Sequence, residues 1–369
     1  MIDSRLTKMA EVLVDYSLEL KPEDKFLINT TDLATPLVKE VYRIALLRGA
    51  YPEIQIQPEG LSRIYYATAS NEQLQYVSPL REMALGSFQA FLSIIADHNT
   101  KSLTNVDSGK IALRQRSMAP LNQLFMERAA KGEMRWCVAL YPTLGLAQEA
   151  SMSLDEYAEF VMEGCLLNSS DPKAQWQEVH DQQERYVELL NGVDVIEVKA
   201  KDTDLRLRLK GRTWENCDGR MNFPDGEIFT APIEDSVEGV IRFSFPGIYS
   251  GKEVEDIRLT FEKGKVVKAT ASRGEELLHS LLDTDAGARR VGEFAIGTNF
   301  GITKFTRNML FDEKIGGTIH LALGSTYPET GGKNQSGIHW DMLCDMRDGG
   351  EIYADGQLIY KDGQMLVGD

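Results

Sequence analysis

Gly316-Gly317-Thr318-Ile319-His320-Leu321-Ala322-Leu323-Gly324 sets a histidine in the middle of a strand bracketed by glycines. Strand alternation puts Ile319, Leu321 and Leu323 on one face and Thr318, His320 and Ala322 on the other. The first face belongs in a core. The second presents an imidazole between two small side chains, which leaves room for a group to approach it. A satisfied core histidine is the plainer reading of this residue if it stands alone.

It does not stand alone. The chain has 5 histidines, and His339 follows in His339-Trp340-Asp341. On a strand His339 and Asp341 share a face opposite Trp340, so they can share a cation or simply pair with each other. Upstream, Glu227 and Glu293 each follow a glycine and open an apolar, strand-like run, in Gly226-Glu227-Ile228-Phe229 and Gly292-Glu293-Phe294-Ala295. A buried carboxylate needs a partner, because burying it bare costs several kcal/mol. An exposed strand end is the plainer reading of either glutamate by itself.

Glu227, Glu293, His320, His339 and Asp341 taken together are the oxygen and nitrogen donor mixture that suits Zn²⁺, Co²⁺ or Mn²⁺. No cysteine is in the set, which argues against a structural zinc. Five donors are many for one catalytic ion but suit two ions about 3.5–4 Å apart, with one carboxylate bridging. Tyr327 stands in the glycine-rich loop that leaves the His320 strand, where a phenol could reach a substrate carbonyl, or be an ordinary loop residue. The same donors would serve another two-metal hydrolase, an amidase or a phosphoesterase, or a metal-stabilised protein without activity. For a phosphoesterase only Lys314 and Lys333 offer nearby cations.

The remainder of the chain frames this half. At 369 residues two domains are expected. A formal net charge of -16 argues against a nucleic-acid partner, which needs a basic face. No export signal and no apolar run of membrane-spanning length stand out, so a cytoplasmic protein with no membrane partner is expected. Cys137, Cys165, Cys217 and Cys344 have no short spacing and read as buried free thiols.

Up to about residue 192, helical and strand-like runs alternate. Helices are expected over 6–20, 32–47, 108–130, 153–167 and 172–190, the fourth with a Ser153/Glu156 capping box. Strands are expected over 25–29, 51–57, 91–96 and 136–140. This alternation predicts an α/β domain with a doubly wound parallel sheet over residues 1–192. No phosphate-cradling glycine motif accompanies it. Beyond Asn191-Gly192 the pattern becomes β-rich. Lys263-Gly264, Asp355-Gly356 and Asp362-Gly363 read as hairpin turns, and one helix is expected over 274–282. Residues 193–369 are therefore expected to form a β-rich α+β domain carrying the metal site.

Asn222-Phe223-Pro224-Asp225-Gly226-Glu227, Gly292-Glu293-Phe294-Ala295-Ile296-Gly297-Thr298-Asn299, the run from Leu310 to Gly324 and Asn334-Gln335-Ser336-Gly337-Ile338-His339-Trp340-Asp341 resemble, in content, order and spacing, the thermophilic-type metalloaminopeptidases (the aminopeptidase T and aminopeptidase S family). The resemblance covers roughly residues 190–369. It implies that Glu227, Glu293, His320, His339 and Asp341 ligate two divalent ions (Zn, Co, Mg or Mn), that Glu293 bridges them, and that Tyr327 is catalytic. It further implies a dinuclear aminopeptidase that removes N-terminal residues from peptides with a free N-terminus by a metal-activated water. A homodimer is implied too. No residue is singled out as general base.

Overall fold

The first four apolar runs fold as β1 (Lys25–Thr30), β2 (Tyr51–Ile56), β3 (Ala90–Ile95) and β4 (Arg135–Leu140). They pair in parallel in the order β2-β1-β3-β4, and the short strand Asn222–Phe223 adds to β4. Parallel neighbours need crossovers, and helices such as Thr35–Leu47 and Ser108–Ala130 supply them. Helix Leu154–Gly164 starts with the expected capping box between Ser153 and Glu156. The first helix is α-helical only over Ser4–Val12 and continues as a π turn over Leu13–Ser17.

Five helices among the described residues escape the sequence reading: Leu61–Thr68, Asn71–Gln75, Pro79–Ser87, Leu144–Glu149 and Met309–Asp312. The first and third bury no residue at all, so no apolar stripe announces them.

The computed structural model describes residues 3–366. It divides into two compact units, one running to Gln175 plus Gly219–Pro224, the other Trp176–Asp218 plus the chain from Asp225 onward. The division thus precedes the expected boundary near residue 192. The reason is that helix Pro172–Leu190 places Val187 and Leu190 in the core of the second unit.

In that second unit eight antiparallel strands form one sheet. All three expected hairpin turns are present, each with two consecutive residues at positive φ: Lys263-Gly264 (49° and 74°), Asp355-Gly356 (47° and 84°) and Asp362-Gly363 (48° and 85°). That is the turn whose twist matches a two-residue hairpin.

A five-stranded antiparallel sheet carries the residues of interest: β5 (Glu215–Cys217), β6 (Glu227–Thr230), β7 (Val291–Gly297), β8 (Thr318–Gly324) and β9 (His339–Asp345), in the spatial order β9-β8-β7-β6-β5. Every residue of β7 and β8 is buried. One face contributes Ile228, Phe294, Ile296, Ile319, Leu321, Leu323, Trp340 and Met342 to the apolar core of the unit. Burying such side chains stabilises the fold by about 1.5–3 kcal/mol each.

Candidate metal centre

The register of this sheet determines what lies on its other face. Glu293 pairs with Ala322, which pairs with Asp341. His339 pairs with Gly324, and His320 lies between Ala295 and Leu343. Glu227 lies between Cys217 and Gly297. With side chains alternating along each strand, Glu227, Glu293, His320, His339 and Asp341 all emerge on one face. Their cross-strand neighbours are repeatedly glycine or alanine, which leaves these side chains room to meet.

Two glycines make the backbone possible. Gly226 stands at φ +119°, and Gly324 at φ +107° where a Cβ would collide with the carbonyl oxygen of Ile338. Both conformations are ones that L side chains rarely adopt.

The five side chains converge. Nε2 of His320 is 3.4 Å from Oε1 of Glu293 and 3.6 Å from Oε2 of Glu227. Nε2 of His339 is 3.2 Å from Oε2 of Glu293 and 3.4 Å from Oδ1 of Asp341. Glu293 therefore gives one oxygen to each imidazole. Donor atoms of Glu227, Glu293 and His320 lie within 4.8 Å of one another, and so do those of Glu293, His339 and Asp341. Tyr327 joins them, its ring edge-on to His339 with 5.1 Å between centroids and 39% of the residue exposed.

The electrostatics call for a cation. Nδ1 of His339 faces the carbonyl oxygen of Ser325 at 2.8 Å, so that nitrogen carries the hydrogen and donates it. In neutral His339, Nε2 then points a lone pair at two carboxylates, which is repulsive unless a positive charge lies between them. Oε2 of Glu227 and Oδ1 of Asp341 are buried and make no hydrogen bond. Such orphaned acceptors fit a group that takes several oxygen and nitrogen donors at once.

The protonation equilibria of the metal-free site tell the same story. Burial opposes charge on both rings, yet the surrounding carboxylates push His320 up to about 9 and His339 up to about 12. For Glu293 burial acts upward, but the two imidazoles hold its carboxyl well below the usual range. Burial pushes the Glu227 carboxyl up against the pull of Lys314 and His320. Burial and then the charges of Glu293, Asp341 and Glu313 keep the Tyr327 hydroxyl protonated.

Three neighbours of the centre were not singled out by the sequence reading, Glu313, Asp225 and Cys217, and Lys314 was named there only as a nearby cation. Donor atoms of Glu313, His320 and Asp341 lie within 4.8 Å of one another, as do those of Cys217, Asp225 and Glu227. The ammonium of Lys314, 1% exposed, bonds Glu227, lies 2.8 Å from Glu313 and 3.5 Å from Asp225. Glu313-Lys314 sits outside any strand, so alternation said nothing about it.

A family profile described as thermophilic metalloprotease (M29) matches residues 2–365. The chain belongs to this metalloprotease family. It is accordingly a hydrolase whose relatives are named aminopeptidases. Aminopeptidase 2 of Geobacillus stearothermophilus is 29% identical over 387 residues, covering 94% of this chain and 93% of its own. Aminopeptidase T of Thermus thermophilus is 28% identical over 397 residues, covering 95% of each. The solved structure of wild-type AmpT from Thermus thermophilus superposes with a TM-score of 0.86 at 26% identity, over 98% of this chain and 99% of that one. The metalloprotease membership rests on the whole length of the chain, including the α/β unit in which no motif was recognised.

Proposed function

We propose that this protein is a dinuclear metal-dependent aminopeptidase, and that Glu227, Glu293, His320, His339 and Asp341 are its metal ligands. The observation that carries the proposal is the split carboxylate of Glu293, with Oε1 toward His320 and Oε2 toward His339. Glu227 and His320 would hold one ion with Glu293. His339 and Asp341 would hold the other, with Glu293 shared. Zn²⁺, Co²⁺, Mn²⁺ and Mg²⁺ all accept such donors, with imidazole favouring the first two.

Bound divalent ions supply Lewis acidity, lowering the pKa of water toward neutrality and polarising a carbonyl. The chain's own residues do the rest. The Ser325 carbonyl fixes the His339 tautomer so that Nε2 is the donor atom. Tyr327, kept protonated by burial and by its anionic neighbours, is a hydrogen-bond donor to an oxyanion. Excess carboxylate on this face favours an ammonium, which supports a preference for peptides with a free N-terminus. The family resemblance extends the proposal to a homodimer, and sedimentation of the purified protein tests the dimer.

Purified protein is expected to hydrolyse aminoacyl-p-nitroanilides, to stop after chelation and to resume with Zn²⁺, Co²⁺ or Mg²⁺. Turnover that survives exhaustive chelation would remove the metals from the mechanism. A non-catalytic metal-stabilised protein, the rival reading, would show unfolding on chelation and no hydrolysis under any condition.

A further inference from the structure

Lys314 is wholly buried, and three carboxyl groups surround its one ammonium. Its Nζ bonds Oε1 of Glu227, lies 2.8 Å from Oε1 of Glu313 and lies 3.5 Å from Oδ1 of Asp225. Its side chain and that of Asp225 are each 1% exposed. Its position is fixed by the main chain on both sides. Its N–H donates to the Phe311 carbonyl at 3.0 Å, and its carbonyl accepts from Asn299 N–H at 3.0 Å. Asn299 also donates from its side chain to the Asp225 carbonyl at 2.8 Å, tying down the segment before Glu227.

Two of those partners, Asp225 and Glu227, form with Cys217 a cluster whose donor atoms lie within 4.8 Å of one another. Thiolate plus two carboxylates is a donor set for a divalent ion. Here the Lys314 ammonium bonds one member and approaches another. The consequence for Glu227 is directional, since Oε1 is held by Lys314 while Oε2 faces His320 and makes no hydrogen bond.

We propose that Lys314 is a tethered third cation. It fills the Cys217–Asp225–Glu227 cluster, keeps a third metal ion out of it, and leaves Glu227 a single oxygen to offer to the His320 side of the centre. It is a positioning residue acting through Glu227. The inference rests on the two-metal reading of the centre.

The test is a Co²⁺ titration of metal-free protein, unaltered and Lys314→Ala, with bound metal counted after desalting and the absorption spectrum recorded. The unaltered protein is expected to take about two ions per chain without a near-ultraviolet sulfur-to-cobalt charge-transfer band. Lys314→Ala is expected to take about three, with that band present, because Cys217 becomes a ligand. Adding Cys217→Ser to Lys314→Ala should remove the band. If Lys314→Ala binds two ions with no thiolate band, the assignment of Lys314 is wrong and the two-metal centre stands. If the unaltered protein binds fewer than two, both readings fall together. Should Lys314→Ala not fold without metal, it is refolded in excess Co²⁺. Lys314→Gln serves if that also fails, with the same third ion and the same band expected, and their absence overturns the assignment there too.

Discussion

Nδ1 of His339 lies 2.8 Å from the carbonyl oxygen of Ser325. A carbonyl accepts only, so this one contact fixes the tautomer and aims the Nε2 lone pair at Glu293 and Asp341. The metal-free protein meets that demand with protons. His320 is pushed up to about 9 and His339 to about 12, from an ordinary 6.5, so both rings are cationic near pH 7. Groups with raised folded pKa values give stability that is complete below the unfolded value and is lost as pH rises through the folded one. The melting temperature of chelated protein is therefore expected to fall between about pH 6.5 and 9, where His320 deprotonates. Metal-loaded protein should lose much less over that window. A chelated protein whose melting temperature rises across it would contradict the charge arrangement. Metal uptake near pH 7 should also release protons to the buffer.

Glu293 touches both imidazoles, so its loss should be felt by both ions. Glu293→Gln is expected to lower kcat/KM by more than about 100-fold and to leave less than one tightly held ion per chain, as read by elemental analysis. A variant that keeps both ions and full activity would take the bridging role away from Glu293.

Tyr327 packs edge-on against the ring of His339, and it is partly open to solvent. Tyr327→Phe should retain both metals and bind substrate with little change in KM, while kcat drops about 100- to 1,000-fold, the usual cost of one oxyanion donor. A change confined to KM would assign the phenol to substrate binding instead.

Gly324 lets β8 end at φ +107° directly opposite His339. Gly324→Ala is expected to destabilise the fold by about 1–3 kcal/mol or more and to disturb the site, because both the backbone angle and the Ile338 carbonyl oppose a Cβ. Chemical denaturation measures this. An unaltered midpoint would mean the strand end is freer than its geometry indicates.

The shared face of His320, His339 and Asp341 was legible because strands report their faces, whereas Glu227 and Glu293 joined them only through the set and the family resemblance. His320 between Thr318 and Ala322, and His339 two residues before Asp341, each declare a side by alternation, and the apolar side follows from Ile319, Leu321, Leu323 and Trp340. The three two-residue hairpins were legible for a similar reason, since Lys-Gly and Asp-Gly pairs suit positive φ. Glu313 and Asp225 were not, and Lys314 was read only as a nearby cation, because all three occupy non-strand segments that flank β8 and β6, and such segments have no period. Cys217 looked like any buried thiol. What makes it notable is Glu227 across the β5–β6 pairing, and a register cannot be read from one strand. The helices over residues 61–87 were silent because the first and last bury nothing, and most of helix Pro172–Leu190 groups with the second unit although composition shifts only after the helix ends.

The most direct measurement follows the products of one peptide and its Nα-acetylated twin, incubated with metal-loaded protein and analysed by mass spectrometry. The account predicts a ladder of species shortened one residue at a time from the free N-terminus, and an intact acetylated peptide. Internal cleavage, or equal cleavage of the acetylated peptide, would contradict it.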